Sequence, residues 1–247
     1  MNACGILFDL DDTLVAFDAV TNSSWREVCL EYTTANPEVD PEALFVAIRK
    51  VSDWYWGDPE RHRIGRNNMA PARRSVVREA FQTLDLPPAD ADALADRYGR
   101  VRLDNMYILP AAESTLDLLR SRGYRLGLLT YGDGETQRYK IERFDLAKYF
   151  ETILIEGEIG HGKPDARMYR LALSALGLKP EQTYMVGDNL SWDVEAPQQM
   201  GIKAIWIDRK GTGVPVGSTV MPHRVIRDIS ELPGIFSIGR AEVFLGV

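Results

Sequence analysis

Cysteine and histidine are scarce in this sequence of 247 residues. Its two cysteines, Cys4 and Cys29, are too few for a disulfide framework, which favours a reducing compartment and predicts a cytoplasmic protein. Of the three histidines, His62 and His161 lack metal-ligand spacing to another histidine or cysteine. These scarcities argue against a disulfide-stabilised secreted domain and against a zinc site built from histidine and cysteine.

The sequence also lacks a basic leader and a long apolar run. The first apolar run ends at Asp9, so we expect neither a signal peptide nor a membrane span. A formal net charge of −7 argues against a nucleic acid polymer as partner. It does not exclude a small anionic substrate, because a local metal ion and a lysine outweigh a diffuse negative surface.

Hydrophobic periodicity divides the chain into two kinds of segment. From Thr21 to about Asn105, apolar residues recur at helical spacing. After Pro110, predicted helices alternate with predicted strands, which indicates an α/β fold with a parallel sheet and helices on both faces. We therefore predict an α/β core at residues 1–15 and 106–247, with an inserted helical cap at residues 16–105.

The alternation also predicts the individual elements of the core. Strands are predicted at residues 4–8, 124–130, 152–155, 183–186, 203–207 and 224–226, and helices at residues 111–122, 135–144, 164–176 and 191–200. The tail at residues 234–247 is moderately apolar. Its pattern leaves open an edge element, a contact with a partner chain or a mobile end.

Carboxylates directly follow the first predicted strand. Asp9, Asp11 and Asp12 would repel one another and lose hydration at the strand tip, so we expect a bound cation or a reaction to compensate them. The alternative is an acidic turn that caps the strand, because aspartate is common in turns.

Further polar groups are predicted at other strand ends. Thr130 and Tyr131 follow the second strand, Lys163 lies in the turn after the third, and Asp188 and Asp193 follow the fourth. Because the carboxyl ends of parallel strands lie at one edge of a sheet, we expect these groups to meet in one crevice.

This set of motifs resembles the haloacid dehalogenase-like hydrolase superfamily, in particular its phosphatases with a small helical cap inserted after the first motif. The matching motifs are Asp9-Leu10-Asp11-Asp12-Thr13, Leu128-Leu129-Thr130-Tyr131-Gly132, Gly162-Lys163-Pro164, and Gly187-Asp188 with Asp193. The resemblance spans nearly the whole chain and implies a Rossmann-like core.

The resemblance implies a nucleophile and an acid-base residue. Asp9 would attack phosphorus and form an aspartyl-phosphate, which divides hydrolysis into two easier steps. Asp11 would protonate the leaving oxygen and then deprotonate the attacking water. The dehalogenases that give the superfamily its name are expected to lack an acid at this second position, so Asp11 favours phosphoryl transfer over carbon–halogen cleavage.

A magnesium site is implied as well. The carboxylates of Asp9 and Asp188, with the backbone oxygen of Asp11, resemble the family's Mg²⁺ ligands. Asp193 would support this site through metal-bound water or Lys163, and Asn189 is a further candidate for the same task.

Phosphate contacts are implied for the second and third motifs. Thr130 and the backbone amides after it would bind phosphoryl oxygens, and Lys163 would neutralise charge on Asp9 and on the phosphoryl group. Taken alone, Lys163 would be interpreted as an exposed turn lysine, because most lysines are solvated. Its place in the motif favours a role in the site instead. Tyr131 stands where the family usually has asparagine, which leaves a backbone contact at that position.

The segment at residues 54–67, between predicted cap helices, combines aromatic residues with Arg61, Arg63 and Arg66. The arginines either contact an anionic leaving group, or they face water while the aromatic residues pack the cap.

The function predicted from the sequence is that of a Mg²⁺-dependent phosphatase acting on a small phosphomonoester. A phosphomutase of the same superfamily is the nearest alternative, followed by a 2-haloacid dehalogenase and a non-catalytic binding protein. Neither a nucleic acid polymer nor a membrane is an expected partner.

Overall fold

The computed structural model describes residues 4–241, and the side chains of residues 4–236. Residues 1–3 and 242–247, which the sequence analysis assigns to the core, lie outside the described residues. None of the helices within the described part combines the length and the apolar character needed to cross a membrane.

The described chain divides into two compact units, an α/β unit and a helical unit at Phe17–Met106. The two segments of the α/β unit that flank the helical unit are joined by backbone hydrogen bonds. The N–H of Ala16 donates to the oxygen of Tyr107 at 2.9 Å, and the N–H of Leu109 donates to the oxygen of Leu14 at 2.9 Å. The chain therefore leaves and rejoins the α/β unit at neighbouring points.

A six-stranded parallel sheet forms the centre of the α/β unit, in the order β3-β2-β1-β4-β5-β6. The strands are β1 (Gly5–Phe8), β2 (Arg125–Thr130), β3 (Thr152–Ile155), β4 (Thr183–Gly187), β5 (Lys203–Ile207) and β6 (Arg224–Ile226). The predicted Rossmann-like α/β class is confirmed. From β1 the chain order runs outward in both directions, so β1 and β4 form the switch point of the sheet.

The α-helices of the described residues are, in chain order, α1 (Thr21–Ala35), α2 (Pro41–Gly57), α3 (Pro59–Gly65), α4 (Met69–Thr83), α5 (Ala91–Asn105), α6 (Ala112–Ser121), α7 (Gly134–Arg143), α8 (Glu156–Ile159), α9 (Ala166–Ala175), α10 (Ala196–Gln198) and α11 (Leu232–Ala241). The first five belong to the helical unit and the rest to the α/β unit.

Both faces of the central strands are buried. Leu7 of β1 packs with Met185 of β4 and with Met168 of α9 in one apolar cluster. Successive side chains of a strand point to opposite faces, and the neighbours Ile6 and Phe8 are also fully buried. Burial on both faces explains why these strands read as continuous apolar runs.

The helix predicted at residues 191–200 is only partly an α-helix. A π-helical segment at Leu190–Glu195 comes first, and α10 is confined to three residues. The side-chain oxygen of Asn189 accepts hydrogen bonds from the amides of Ser191 and Trp192 and so fixes where the segment begins. Pro197 has no N–H to donate to the preceding turn, which interrupts the α-helical pattern.

The helical unit has its own apolar core. Trp25 of α1 and Tyr98 of α5 stack with ring centroids 3.5 Å apart. Leu44 and Ile48 of α2 are fully buried in the same cluster. Asp40 begins α2 by accepting hydrogen bonds from the first amides of that helix, and proline follows it at the first helical position.

Candidate active site

The candidate site lies at the carboxyl ends of β1, β2 and β4. In the parallel register, Phe8 of β1 lies beside Leu128 of β2 and Val186 of β4. The chain leaves β1 at Asp9, whose N–H donates to the oxygen of Val186 at 3.0 Å. Asp9 therefore lies at the switch point, where open α/β sheets bind their ligands.

Lys163 links two carboxylates. Its Nζ lies 2.7 Å from Oδ1 of Asp9 and 2.6 Å from Oδ1 of Asp193, and all three side chains are at most 2% exposed. Burial alone would lower the pKa of Lys163, but the carboxylates outweigh burial and raise its pKa above the usual value. The connection between β3 and the predicted turn at Lys163 contains the short helix α8.

Asp188 adds a third carboxylate to this group. Oxygen atoms of Asp9, Asp188 and Asp193 all lie within 4.8 Å of one another. Burial, opposed by Lys163 and assisted by Asp193, raises the pKa of Asp9 from 3.8 to about 7. The Asp188 side chain keeps access to solvent, yet loss of hydration and repulsion from Asp9 and Asp193 raise its pKa from 3.8 to about 9.

These residues fit a hard divalent cation. In this group of four, three carboxylates share the one ammonium of Lys163, and burial together with repulsion between the carboxylates raises the pKa values of Asp9 and Asp188. A bound cation would relieve that repulsion, and carboxylate oxygens are the ligands that Mg²⁺ prefers. Asp9 and Asp188 would hold the ion, while Asp193 also contacts Lys163.

A glycine makes room for Asp193. A Cβ placed on Gly187 would lie 2.3 Å from Cγ of Asp193, which is too close for any real contact. The other oxygen of Asp193 accepts a hydrogen bond from the N–H of Asn189 at 3.0 Å. The side-chain oxygen of Asn189 caps the π-helical segment. Asn189 therefore contacts Asp193 through its backbone N–H and not through its side chain.

Asp11 contacts two residues that the sequence analysis does not predict. Nζ of Lys140 lies 2.8 Å from each carboxylate oxygen of Asp11, and Nε2 of Gln137 donates to Oδ2 at 3.1 Å. Nε2 of Gln137 also donates to the hydroxyl of Thr130. All four side chains are buried, so α7 connects Asp11 to Thr130.

The loop after β2 is held by neighbouring groups. The amide of Gly132 donates to a carboxylate oxygen of the buried Glu156 at 3.3 Å. The ring of Tyr131 packs edge-on against Trp192 with centroids 4.9 Å apart. The backbone after Thr130, which the sequence analysis assigns to phosphate contact, is thus shaped by Glu156 and Trp192.

The sequence carries one signal for Lys140 and Gln137. They lie three residues apart, on the buried face of α7 together with Ile141. Polar residues at positions where a helix normally presents apolar side chains indicate a polar partner in the core. The identity of that partner, 126 and 129 residues away in sequence, comes from the structure.

Most of the segment at residues 54–67 is helical, since it forms the end of α2 and all of α3, and it is not the connection predicted between helices. Asp58 caps α3 by accepting from the amide of Arg61 at 2.8 Å. The guanidinium of Arg61 lies 3.8 Å from the ring centroid of Trp54, and Arg63 pairs with Glu60 at 2.6 Å. Arg61 and Arg63 thus both have partners inside the helical unit.

Comparison with known proteins extends these observations. The profile of the haloacid dehalogenase-like hydrolases matches residues 5–201. Phosphoserine phosphatase of Thermus thermophilus is 36% identical over 223 residues, which cover 83% of this chain and 88% of the relative. Glyceraldehyde 3-phosphate phosphatase of Methanothermobacter thermautotrophicus is 32% identical over 233 residues, covering 93% of this chain and 98% of the relative.

A solved structure has the same fold. The HAD-hydrolase YfnB from Bacillus subtilis, bound to magnesium, superposes with a TM-score of 0.72 at 19% sequence identity. The match covers 95% of this chain and 99% of that chain. Near-complete coverage of both chains shows that the inserted helical unit is part of the shared architecture.

Proposed function

Because the chain belongs to the haloacid dehalogenase-like hydrolase family, we propose that it is a Mg²⁺-dependent phosphatase that hydrolyses a small phosphomonoester through an aspartyl-phosphate. The observation that carries the proposal is the buried carboxylate of Asp9, held 2.7 Å from Lys163 beside Asp188 and Asp193. Asp11, two residues later, supplies the acid-base group that phosphoryl transfer requires.

In the first step, a carboxylate oxygen of Asp9 attacks phosphorus. The bond between phosphorus and the leaving oxygen breaks, and that oxygen takes a proton from Asp11. The products are the free alcohol and an aspartyl-phosphate on Asp9. Lys163 stabilises the negative charge that is shared between Asp9 and the transferring group.

In the second step, water attacks the phosphorus of the aspartyl-phosphate. Asp11, now a carboxylate, takes a proton from the water, and the bond between phosphorus and Asp9 breaks. Inorganic phosphate leaves, and Asp9 returns as a carboxylate. One residue thus serves as acid in the first half-reaction and as base in the second.

The carboxylates of Asp9 and Asp188 and the backbone oxygen of Asp11 would hold Mg²⁺. When bound, the ion offsets the repulsion between Asp9 and an anionic phosphate and polarises the phosphoryl oxygens. Asp193 keeps Lys163 beside Asp9, because the ammonium contacts both carboxylates. Thr130 and the backbone after it would contact the phosphoryl oxygens.

The names of the relatives suggest candidate substrates for the proposed phosphatase. The relatives act on phosphoserine and glyceraldehyde 3-phosphate, by their names, so these esters belong in a first screen. We assign the helical unit, Phe17–Met106, to the cap domain of the family. The two free cysteines, Cys4 and Cys29, suit a reducing compartment, and we assign the enzyme to the cytoplasm.

A panel of phosphorylated metabolites, assayed for phosphate release with Mg²⁺ and with chelator, tests the proposal. We expect Mg²⁺-dependent release from at least one small monoester, and none from Asp9→Asn. Conversion of a hexose phosphate to its isomer without phosphate release would assign a mutase, and halide release from a 2-haloacid would assign a dehalogenase. Absence of all three activities would contradict an enzymatic role.

A further inference from the structure

We propose that Lys140 and Gln137 are positioning residues for Asp11, which fix its carboxylate where it exchanges a proton with the reacting oxygens. The inference rests on the proposed function, because that function gives Asp11 its acid-base role. Neither residue belongs to the four motifs at the strand ends.

The contacts reach both oxygens of the Asp11 carboxylate. Lys140 lies 2.8 Å from Oδ1 and 2.8 Å from Oδ2, and Gln137 adds a hydrogen bond to Oδ2 at 3.1 Å. A carboxylate otherwise turns about its Cβ–Cγ bond, which is a soft torsion. Donors on both oxygens fix this rotation as well as the position of the group.

Gln137 couples Asp11 to a second residue of the site. The two amide hydrogens on Nε2 are directed at Oδ2 of Asp11 and at the hydroxyl of Thr130. One side chain therefore sets the distance between the acid-base residue and the residue assigned to phosphate contact. Gln137 is 2% exposed, so surrounding atoms hold it in this orientation.

Packing of the fold does not require polar side chains at Gln137 and Lys140 on the buried face of α7. Lys140 is 2% exposed and Asp11 is 6% exposed, and burying such a pair costs more hydration than burying apolar side chains of similar volume. Apolar residues at positions 137 and 140 would fill the same buried positions without that cost. The lysine and the glutamine are explained by their contacts with Asp11 and Thr130.

The position of Asp11 governs only the steps that move a proton. Proton transfer requires Asp11 within hydrogen-bond reach of the leaving oxygen, about 2.6–3.2 Å. An alkoxide leaves slowly unless it is protonated, whereas 2,4-dinitrophenolate leaves readily without a proton. A displaced Asp11 therefore impairs alkyl phosphates far more than 2,4-dinitrophenyl phosphate.

The first test compares Lys140→Met with wild type on these two kinds of ester. kcat/KM is the measured quantity, because it reports the steps up to formation of the aspartyl-phosphate. We expect a loss of about 10²-fold for the alkyl ester and of less than about threefold for 2,4-dinitrophenyl phosphate. Lys148→Met is the matched control, since Lys148 is an exposed lysine that pairs with Asp145 at 2.8 Å. Equal losses on both esters would overturn the inference.

The second test uses the double variant Asp11→Asn/Lys140→Met, which leaves neither charge of the pair buried alone. If Lys140 acts through Asp11, Lys140→Met has no further effect on kcat/KM in the Asp11→Asn background. A loss of the same size in both backgrounds would assign Lys140 a merely structural role. The pair variant also keeps the inference testable if Lys140→Met alone does not fold.

Crystal structures of wild type and Lys140→Met give a readout that needs no activity. We expect the Asp11 carboxylate to change orientation in the variant while Asp9 and Lys163 keep their places. An unchanged Asp11 would overturn the inference even in an active enzyme. If wild type hydrolyses neither ester, the proposed function fails, and this comparison still decides whether Lys140 holds Asp11.

Discussion

Nζ of Lys163 lies 2.7 Å from the carboxylate of Asp9, and these groups come from positions 154 residues apart in the sequence. Asp9 is thus a buried carboxylate at a strand end with a permanent cation beside it. Lys163 lowers the pKa of Asp9, while burial, the largest effect, raises it. This balance of charge and burial determines how the site responds to substitution and to pH.

Asp9→Asn should abolish turnover, because the amide has nearly the size of the carboxylate but is a poor nucleophile. Phosphate release by the purified variant, with its far-UV circular dichroism, checks this expectation. Asp117→Asn is a matched control, since Asp117 is exposed on α6, and it should retain the wild-type rate. An Asp9→Asn protein with the wild-type rate would show that Asp9 is not the nucleophile.

The stability of the metal-free protein should fall as the pH rises from about 4 to about 9. The folded-state pKa values of Asp9 and Asp188, about 7 and about 9, lie above the ordinary value of 3.8. Their stabilising contribution is complete below the unfolded pKa and is lost as the pH rises through the folded pKa. The raised pKa of Lys163 contributes steadily throughout this range, since its ordinary value is 10.5.

Melting temperatures in chelator and in excess Mg²⁺ measure this dependence. If Asp9 and Asp188 bind Mg²⁺ in their ionised form, as we propose, Mg²⁺ should remove most of the fall at high pH. Asp188→Asn, which deletes one of the two titrating groups, should flatten the profile in chelator. The same pH profile with and without Mg²⁺, in wild type, would contradict metal binding by these carboxylates.

Lys163→Met should lower the free energy of unfolding by about 3–5 kcal/mol at neutral pH in chelator, because it leaves buried carboxylates without their cation. The loss should be smaller near pH 5, where the raised pKa of Asp9 allows its protonation. Urea unfolding at both pH values makes the comparison. A loss that does not depend on pH would indicate that packing, and not charge, explains the effect.

Gly187→Ala should disturb the site through Asp193. The added Cβ would lie 2.3 Å from Cγ of a carboxylate that is held by Lys163 and by the amide of Asn189. We expect a destabilisation of about 1–3 kcal/mol and a reduced kcat. Gly57→Ala is the matched control, because a Cβ on Gly57 meets nothing within 4 Å. Equal melting temperatures for the two variants would exclude this steric mechanism.

Short apolar runs in the sequence predict the bounds of two core strands correctly. The predicted bounds of Thr152–Ile155 and Lys203–Ile207 agree with the structure. The π-helical segment at Leu190–Glu195 could not be predicted, since it depends on how the Asn189 side chain caps the chain. Helix α3 is absent from the prediction, which places a connection between helices at residues 54–67, whereas Asp58 ends α2 and caps a new helix there.

For the site, proximity is easier to predict than pairing. Motif order places Asp9, Lys163, Asp188 and Asp193 at one edge, and the structure brings these four together. The position of Lys140 on the buried face of α7 indicates a polar partner, but the sequence does not identify that partner as Asp11, which lies 129 residues away. The catalytic roles of all these residues stay predictions until the variants are measured.

The helical unit is a cassette, meaning an insert whose two ends are held together by the α/β unit itself. The bonds that hold them join Ala16 to Tyr107 and Leu14 to Leu109. Since the two junctions are neighbours, the sheet needs no particular length or sequence between them to keep its register. Selection could therefore replace or remodel the residues from Phe17 to Met106 while the α/β unit stayed intact. The same property makes residues 16 and 107 the natural points at which to graft the cassette of one relative onto another.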